Sequence, residues 1–377
     1  MTSPTSAAPS PSLLAGLRHM PPGIWALGFV SLLMDVSSEM IHALLPVYLV
    51  TTLSASTLAV GFIEGVAEAT AAITKVFSGA LSDWLGRRKL LAALGYGLAA
   101  VTKPVFPLAH SLGWVVAARF VDRIGKGIRG APRDALIADL APPDRRGAAF
   151  GLRQSLDTAG AFLGPALAIG LMWLTADNIP LVFWAAVLPA AGAFALIVLA
   201  VHDAPDATAR KRVRAPLSRA ELAQLPSRYW WVVAASAVFT LARFSEAFLV
   251  LRAQELHLAL SLIPLVLVAM NLVYALASYP VGVLADRMSH TRLLAAGLAV
   301  LVLADLALAG VGGLAGLALG LVLWGLHMGL TQGLLAALVA ESAPASLRGT
   351  AFGVFNLVGG VALLLASVIA GSLWDAF

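Results

Sequence analysis

Long apolar runs, broken only by short polar or glycine-rich stretches, recur from one end of the chain to the other. They do not alternate with the period of two that a barrel strand would show, so they read as helices. Each is about 20 residues or more, and a helix rising about 1.5 Å per residue then crosses a hydrocarbon layer about 30 Å thick. The pattern predicts spans at 23–50, 56–82, 90–110, 112–140, 147–174, 179–201, 229–253, 262–284, 291–310, 313–340 and 347–376. Helices also fit the solvent, because they satisfy every backbone hydrogen bond within one segment.

Composition agrees. Of the 377 residues 60% are hydrophobic and 12% charged, with a mean hydropathy of +0.89, against about 25% charged residues in a soluble domain. This is an integral membrane protein. Its formal charge of +5 lies in short loops and inside spans, so it calls for no nucleic-acid partner. The absence of cysteine excludes disulfides, thiolate chemistry and cysteine metal sites. Residues 1–22 lack a basic segment ahead of an apolar core and read as a disordered tail rather than a signal peptide.

Loop charges orient the spans. Arg87, Arg88 and Lys89, then Arg145 and Arg146, then ARKRVR in the 202–228 linker, then Arg287 and Arg292, then Arg348 fall on one side; TTLSAS, HSLG, TADN and AGVGG carry no Lys or Arg. The positive-inside rule makes the N-terminus and the linker cytoplasmic and, with an odd number of spans, puts Phe377 outside.

The two parts of the chain also repeat. GALSDWLGRRK starts at Gly79 and GVLADRMSHTR at Gly282, 203 residues later; RRGAAFG and LRGTAFG place Gly147 and Gly349 202 residues apart. Duplication of a six-span unit follows, with a bundle at 23–201, a hinge at 202–228 and a second bundle at 229–377. Six plus six makes twelve, so the twelfth span is expected to be missing from this chain.

At these residues the sequence resembles the major facilitator superfamily of secondary transporters, over about 23–377. GALSDWLGRRK matches the superfamily's signature between its second and third helices, and the copy at Gly282 matches it more loosely. The resemblance implies an all-α membrane protein, a six-plus-six helical bundle that works by alternating access. It also implies a gating motif of Gly79, Asp83, Gly86, Arg87 and Arg88 in the first repeat and Gly282, Asp286 and Arg287 in the second. Asp83 should then sit against the N-terminus of the eleventh helix and Asp286 against that of the fifth, each acid at the positive end of a helix dipole. Gly151, Gly160, Gly164 and Pro165 resemble the fifth-helix pattern of the superfamily's antiporters, although Ala168 and Ile169 stand where two glycines would continue it. That pattern leans toward efflux.

Polar residues inside the spans carry the remaining signal. Eight charged side chains fall between Arg119 and Asp139. On a helix 119, 122, 123, 126, 129 and 133 share an arc of roughly 120°, and such a face avoids lipid because an unpaired ion at mid-membrane costs several kcal/mol. Arg119, Asp122, Arg123 and Lys126 are candidates to hold an anionic group. Asp35, Glu39 and His42 share one face of the first span and are candidates for proton coupling, since neighbouring carboxylates resist ionising together. By resemblance the first, fourth, seventh and tenth spans line the cavity, which adds Arg243, Glu246 and His327 as substrate-binding candidates. Glu64 and Glu68, Arg153 and Asp157, and Gln332 are further polar intrusions. Mutual neutralisation of acids and bases across helices is the competing structural account.

Several function classes fall away. GKG at 125–127 is no phosphate loop, because the leading glycine of that pattern is absent and no Ser or Thr follows Lys126. Neither HExxH nor GxSxG is present, so a membrane enzyme is disfavoured. Asp35, Glu39, Met40 and His42 would suit a metal-ion or metal-chelate carrier, but the nearby cations repel a metal. The expectation is a proton-coupled carrier of a small anionic or zwitterionic solute, exporting it, with uptake symport and metal carriage as alternatives. It needs no cofactor or metal and works as a monomer in a lipid bilayer, the inner membrane of a bacterium.

Overall fold

The computed structural model describes residues 20–54, 57–203, 218–243, 246, 249, 252–253, 256–257 and 264–376. Among them eleven long helices follow one another: α1 (Pro22–Thr51), α2 (Thr57–Leu85), α3 (Arg88–Thr102), α4 (Leu112–Leu140), α5 (Arg146–Leu174), α6 (Ile179–Ala200), α7 (Ser227–Ala242), α8 (Pro264–Ala285), α9 (His290–Gly310), α10 (Gly313–Ser342) and α11 (Arg348–Ala376). Eight of them are long and apolar enough to cross a membrane on length and composition alone. The charges of α4 keep it outside that set. Residues 1–19 of the predicted disordered tail and most of the hinge lie outside the described residues, as do most positions between Ala242 and Pro264 on the predicted seventh span, while Pro22 already begins α1.

Local chemistry sets the ends. Proline at the first helical turn starts α1 and α6, where its missing N–H costs nothing, and Asn178 caps α6 by accepting from the Leu181 N–H at 3.2 Å. The predicted span 90–110 is interrupted: α3 stops at Thr102 because Pro104 removes a backbone donor, and a short turn, Val105–Leu108, completes it. Gly86 makes the tight turn between α2 and α3 at φ 65°, a conformation that side chains resist. One turn of 3₁₀ helix precedes both α5 (Pro143–Arg145) and α11 (Ala345–Leu347), so the repeat extends to its loops.

Packing repeats as well. In the first six helices α1 packs on α5 and α6, and α4 on α2 and α3; in the last five, α7 packs on α11, and α10 on α8 and α9. The two groups meet where α2 crosses α11 and α5 crosses α8. Glycines let the backbones touch there: a Cβ on Gly147 would lie 2.6 Å from the Gly282 carbonyl, and Gly79 and Gly349 oppose each other the same way. In the second group the face between α7 and α11 is an apolar groove of about 300 Å³ bordered by Ala237, Leu241, Val358 and Leu365.

Three cores reveal the shape. One draws on both groups at the end where the basic loops lie, and includes Phe150 of α5 against Phe352 of α11 with rings 5.8 Å apart. At the opposite end the core splits in two, one built around Tyr48, Phe106 and Phe183 and the other around Met270, Leu301 and Trp324. The bundle is therefore joined at its basic end and parted at the other. Its outer wall is apolar, with Trp84, Trp230 and Trp231 exposed toward the basic end and Trp114 and Trp173 toward the other, as in the aromatic belts of membrane proteins.

Candidate functional site

Two acids fasten the joined end. Asp83, at the end of α2, accepts from the backbone N–H of Gly349 at 3.0 Å and of Thr350 at 2.6 Å, and from the Thr350 hydroxyl at 2.8 Å. These are donors that the first turn of α11 leaves without helical partners, so an anion completes them and meets the helix dipole. Arg88 donates to Asp83 at 3.2 Å and to the Ala345 carbonyl at 2.6 Å, and pairs with Asp139 at 3.2 Å; Arg348 donates to Asp139 at 2.7 Å. Asp286 sits just beyond α8 and takes the N–H groups of Gly147 at 2.7 Å and Ala148 at 2.8 Å on α5. Burial raises its pKa to about 6, which the two backbone donors oppose and the nearby Glu341 and Asp144 reinforce. Arg87 and Arg287 are exposed beside these contacts.

The charged face of α4 divides by depth. Asp122 accepts from Lys103 of α3 at 2.9 Å and from Arg123 at 3.2 Å, and Lys103 also donates to Ser38 of α1 at 3.1 Å. All of these, with Arg119, are at most 5% exposed. Asp122 and Arg123, expected to hold substrate, thus belong to a buried knot that ties α4 to α3 and α1, and Arg119, expected with them, is buried on α4. Lys103 was not anticipated; it stands at the break that Pro104 makes. Lys126 differs, being only half-buried and forming no hydrogen bond or ion pair among the described residues, while lying within electrostatic reach of Asp35, Glu39 and Asp157.

Around Lys126 the expected acids come together. Gly160 of α5 meets α1 so closely that a Cβ there would lie 2.5 Å from the Leu32 carbonyl and 3.1 Å from the Asp35 Cβ; one on Gly164 would lie 2.8 Å from the Glu39 Cβ. The fifth-helix glycines therefore bring α5 against both acids. Pro165 follows inside α5; Ala168, in a position expected of glycine in antiporters, is buried, and Ile169 faces outward. Glu39 contacts His42 of its own helix at 3.3 Å. Asp157 accepts from Arg153 at 2.9 Å and faces Arg133 of α4 at 3.6 Å, and Arg133 reaches Asp134, Ser31 and the Tyr96 hydroxyl. Lys75 of α2 enters from the other side and donates across to Asn356 of α11 at 3.4 Å. The side chains of Glu64 and Glu68 lie outside the described residues.

The second group contributes less charge. Arg243, where α7 ends, donates to the Met328 sulfur, and Glu246 is in electrostatic reach of both Arg243 and Glu39. His327 turns away: its Nδ1 bonds the Gly297 carbonyl at 2.8 Å, within the packing of α10 on α9. Gln332 is partly buried on α10. Sequence reasoning passed over Lys75, Tyr96 and Lys103; an isolated lysine within an apolar run was the available signal for two of them. Among the described residues no three His, Asp or Glu side chains converge as a metal would require.

Comparison with known proteins agrees with this architecture. The family model described as Major Facilitator Superfamily matches residues 27–367. An uncharacterized MFS-type transporter of Methanocaldococcus jannaschii is 34% identical over 367 residues, 95% of this chain and 89% of that one. The crystal structure of the human organic anion transporter MFSD10 superposes with a TM-score of 0.76 at 20% identity, covering 97% of this chain and 94% of that one. The fucose:proton symporter of E. coli gives 0.73 at 18%, covering 94% and 92%.

Proposed function

We propose, from the premise that this chain belongs to the major facilitator superfamily, that it couples protons to the movement of a small organic anion or zwitterion by alternating access. The observation that carries this reading is Lys126, a cation without a bonded partner among the carboxylates of α1 and α5. A half-buried charge left in that condition inside a membrane span is costly unless something else completes it. A carboxylate- or phosphate-bearing solute completes it, with Lys75 and Arg153 adding positive potential. Two proteins of similar fold, an organic anion transporter and a proton symporter by name, point in the same direction.

The sign of coupling sets the direction. An anion held at Lys126 withdraws that cation's influence from the acids, so solute and proton favour each other's binding. Mutual favour means movement together, hence symport; efflux by exchange with protons needs the opposite sign. The efflux leaning rested on the fifth-helix pattern of Gly151, Gly160, Gly164 and Pro165; Gly160 and Gly164 pack α5 on α1 and Gly151 packs it on α8, roles that carry no direction. With the basic end placed in the cytoplasm by the positive-inside rule, the arrangement of cores is an outward-open state of a multi-pass protein of a bacterial inner membrane.

Proteoliposomes loaded with a pH-sensitive dye test this. External mono-, di- and tricarboxylates and amino acids are added one at a time under an inward proton gradient. Acidification driven by an anionic or zwitterionic solute, and lost in Lys126→Gln, is expected. Internal alkalinisation, or a response confined to organic cations, would sink the reading.

A further inference from the structure

The loops ADLAPPDRRGAAFG and AESAPASLRGTAFG align 202 residues apart, and α4 and α10 run back from them in the same register. Their contacts keep step. Gly127 touches α2, where a Cβ would lie 2.5 Å from the Thr74 Cβ, and Gly329 touches α8, where one would lie 2.6 Å from the Ala277 Cβ. A Cβ on Gly125 would lie 2.8 Å from the Gly95 carbonyl of α3, and His327 bonds the Gly297 carbonyl of α9. Thr74 and Ala277 stand 203 residues apart, Gly95 and Gly297 202. The residue between each pair of contacts, Lys126 in one half and Met328 in the other, therefore points the same way from equivalent helices at equivalent depth.

That direction is inward. Two turns along α4 on the same face, Arg133 reaches Ser31 of α1 and Asp157 of α5, whereas the exposed Trp114 and Phe120 lie on the other side of the helix. Where the first half presents a lysine, the second presents a thioether, and a cation comes to it from another helix. Arg243, half-buried at the end of α7, donates Nη1 to the Met328 sulfur and makes no ion pair among the described residues. Thioether sulfur is a weak, uncharged acceptor, so the guanidinium is seated there without being neutralised. Lys126 has no partner at all among those residues. Cations inside a membrane span are costly until something completes them, and here one stands at the corresponding place in each half.

We propose that the solute is a dianion that bridges the halves, one anionic end on Lys126 and the other drawing Arg243 off the Met328 sulfur. This rests on the anion reading above and narrows it: a monoanion or a zwitterion fills one seat only. The guanidinium fork suits a terminal carboxylate or phosphate, which accepts two of its N–H groups at once. A solute that touches both halves also binds more tightly when they approach, so its arrival favours closure of the parted end.

Calorimetric titration of the full chain in lipid nanodiscs tests this. The probes are unbranched diacids from malonate to suberate, each beside its monomethyl ester, with phosphonoacetate and phosphonopropionate to distinguish carboxylate from phosphate ends. At one length the diacid should bind at least about tenfold more tightly than its ester, the margin of a hydrogen bond to a charged group. Phosphonates binding more tightly than diacids of equal length would keep the two-ended class and assign a phosphate to one end. Arg243→Gln should erase the margin and leave the ester's affinity unchanged, which also shows that the variant is folded; Arg243→Lys should keep most of the margin. A margin that survives Arg243→Gln, or none at any length or with either phosphonate, overturns the proposal. Ester binding and solute-driven acidification without a margin would leave the Lys126 reading standing and sink this one; a margin without acidification would do the reverse.

Discussion

Asp83 and Asp286 occupy equivalent places in the two repeats and do the same thing, completing the first turn of a helix from the other half, but their surroundings are opposite. Asp83 pairs with Arg88, which it shares with a second acid, Asp139, itself paired with Arg348. Asp286 is held by the backbone donors of α5, with Glu341 and Asp144 of its own sign nearby, and makes no ion pair among the described residues. The residue 203 positions beyond Arg88 is Thr291, so the first cation of the network has no counterpart. Duplication kept the geometry and let the electrostatics drift. One latch is an ion network, the other a hydrogen-bonded catch sensitive to acid.

The chain lacks cysteine, so a single thiol reports on each latch. Ser82→Cys and Ala285→Cys are buried at the two crossings, and their labelling by an impermeant maleimide from the basic side measures opening. The largest expected effect is that of Asp83→Asn, which strips a carboxylate from a buried network where removing one partner costs about 3–5 kcal/mol. Labelling at Ser82→Cys should rise by at least about tenfold, whereas Asp286→Asn should raise labelling at Ala285→Cys only a few-fold; equal responses would erase the distinction between the latches. Next are the glycine crossings, which the repeats share. Gly79→Ala and Gly282→Ala should each lower the unfolding free energy by about 1–3 kcal/mol through overpacking, seen as similar drops in melting temperature. Markedly unequal drops would show that the geometry has diverged too.

The third effect is pH. Asp286 has a pKa of about 6 when the latch is closed and the ordinary carboxylate value, near 3.8, once solvated. The closed state binds the proton more tightly, so acid favours closure: the gain is complete below the solvated value and lost as pH rises through about 6. Labelling at Ala285→Cys should fall between pH 7 and 5, and Asp286→Asn should flatten the profile. A rise on acidification would reverse the sign argued here. The smallest effect is that of Thr291→Arg, which offers the second latch an exposed cation worth roughly 0–1 kcal/mol. It should weaken the pH dependence of Ala285→Cys without abolishing it; no change would mean that the replaced side chain does not reach Asp286.

Much of this was legible beforehand. Apolar runs located the helices because lipid enforces length and backbone satisfaction, and repeated loop motifs announced the symmetry. What stayed hidden was contributed by neighbours. Helical spacing placed Arg119, Asp122, Arg123 and Lys126 on one face, but only the packing of α3 supplies Lys103 and so separates a closed knot from an open cation. Likewise Gly160 was visible as a pattern, while its contact with Asp35 depends on how α5 crosses α1. Angular position can be read from one helix; partnership cannot.

Phe150 and Phe352 are buried and face each other where the two halves are joined. Opening that end must wet them and the rest of the shared core, and hydration of apolar surface carries a large positive heat capacity. Near ambient temperature apolar association strengthens on warming and fades on cooling. Temperature thereby becomes a control on the side from which the cavity is reached, with cold tilting the protein toward its basic face and warmth holding that face shut.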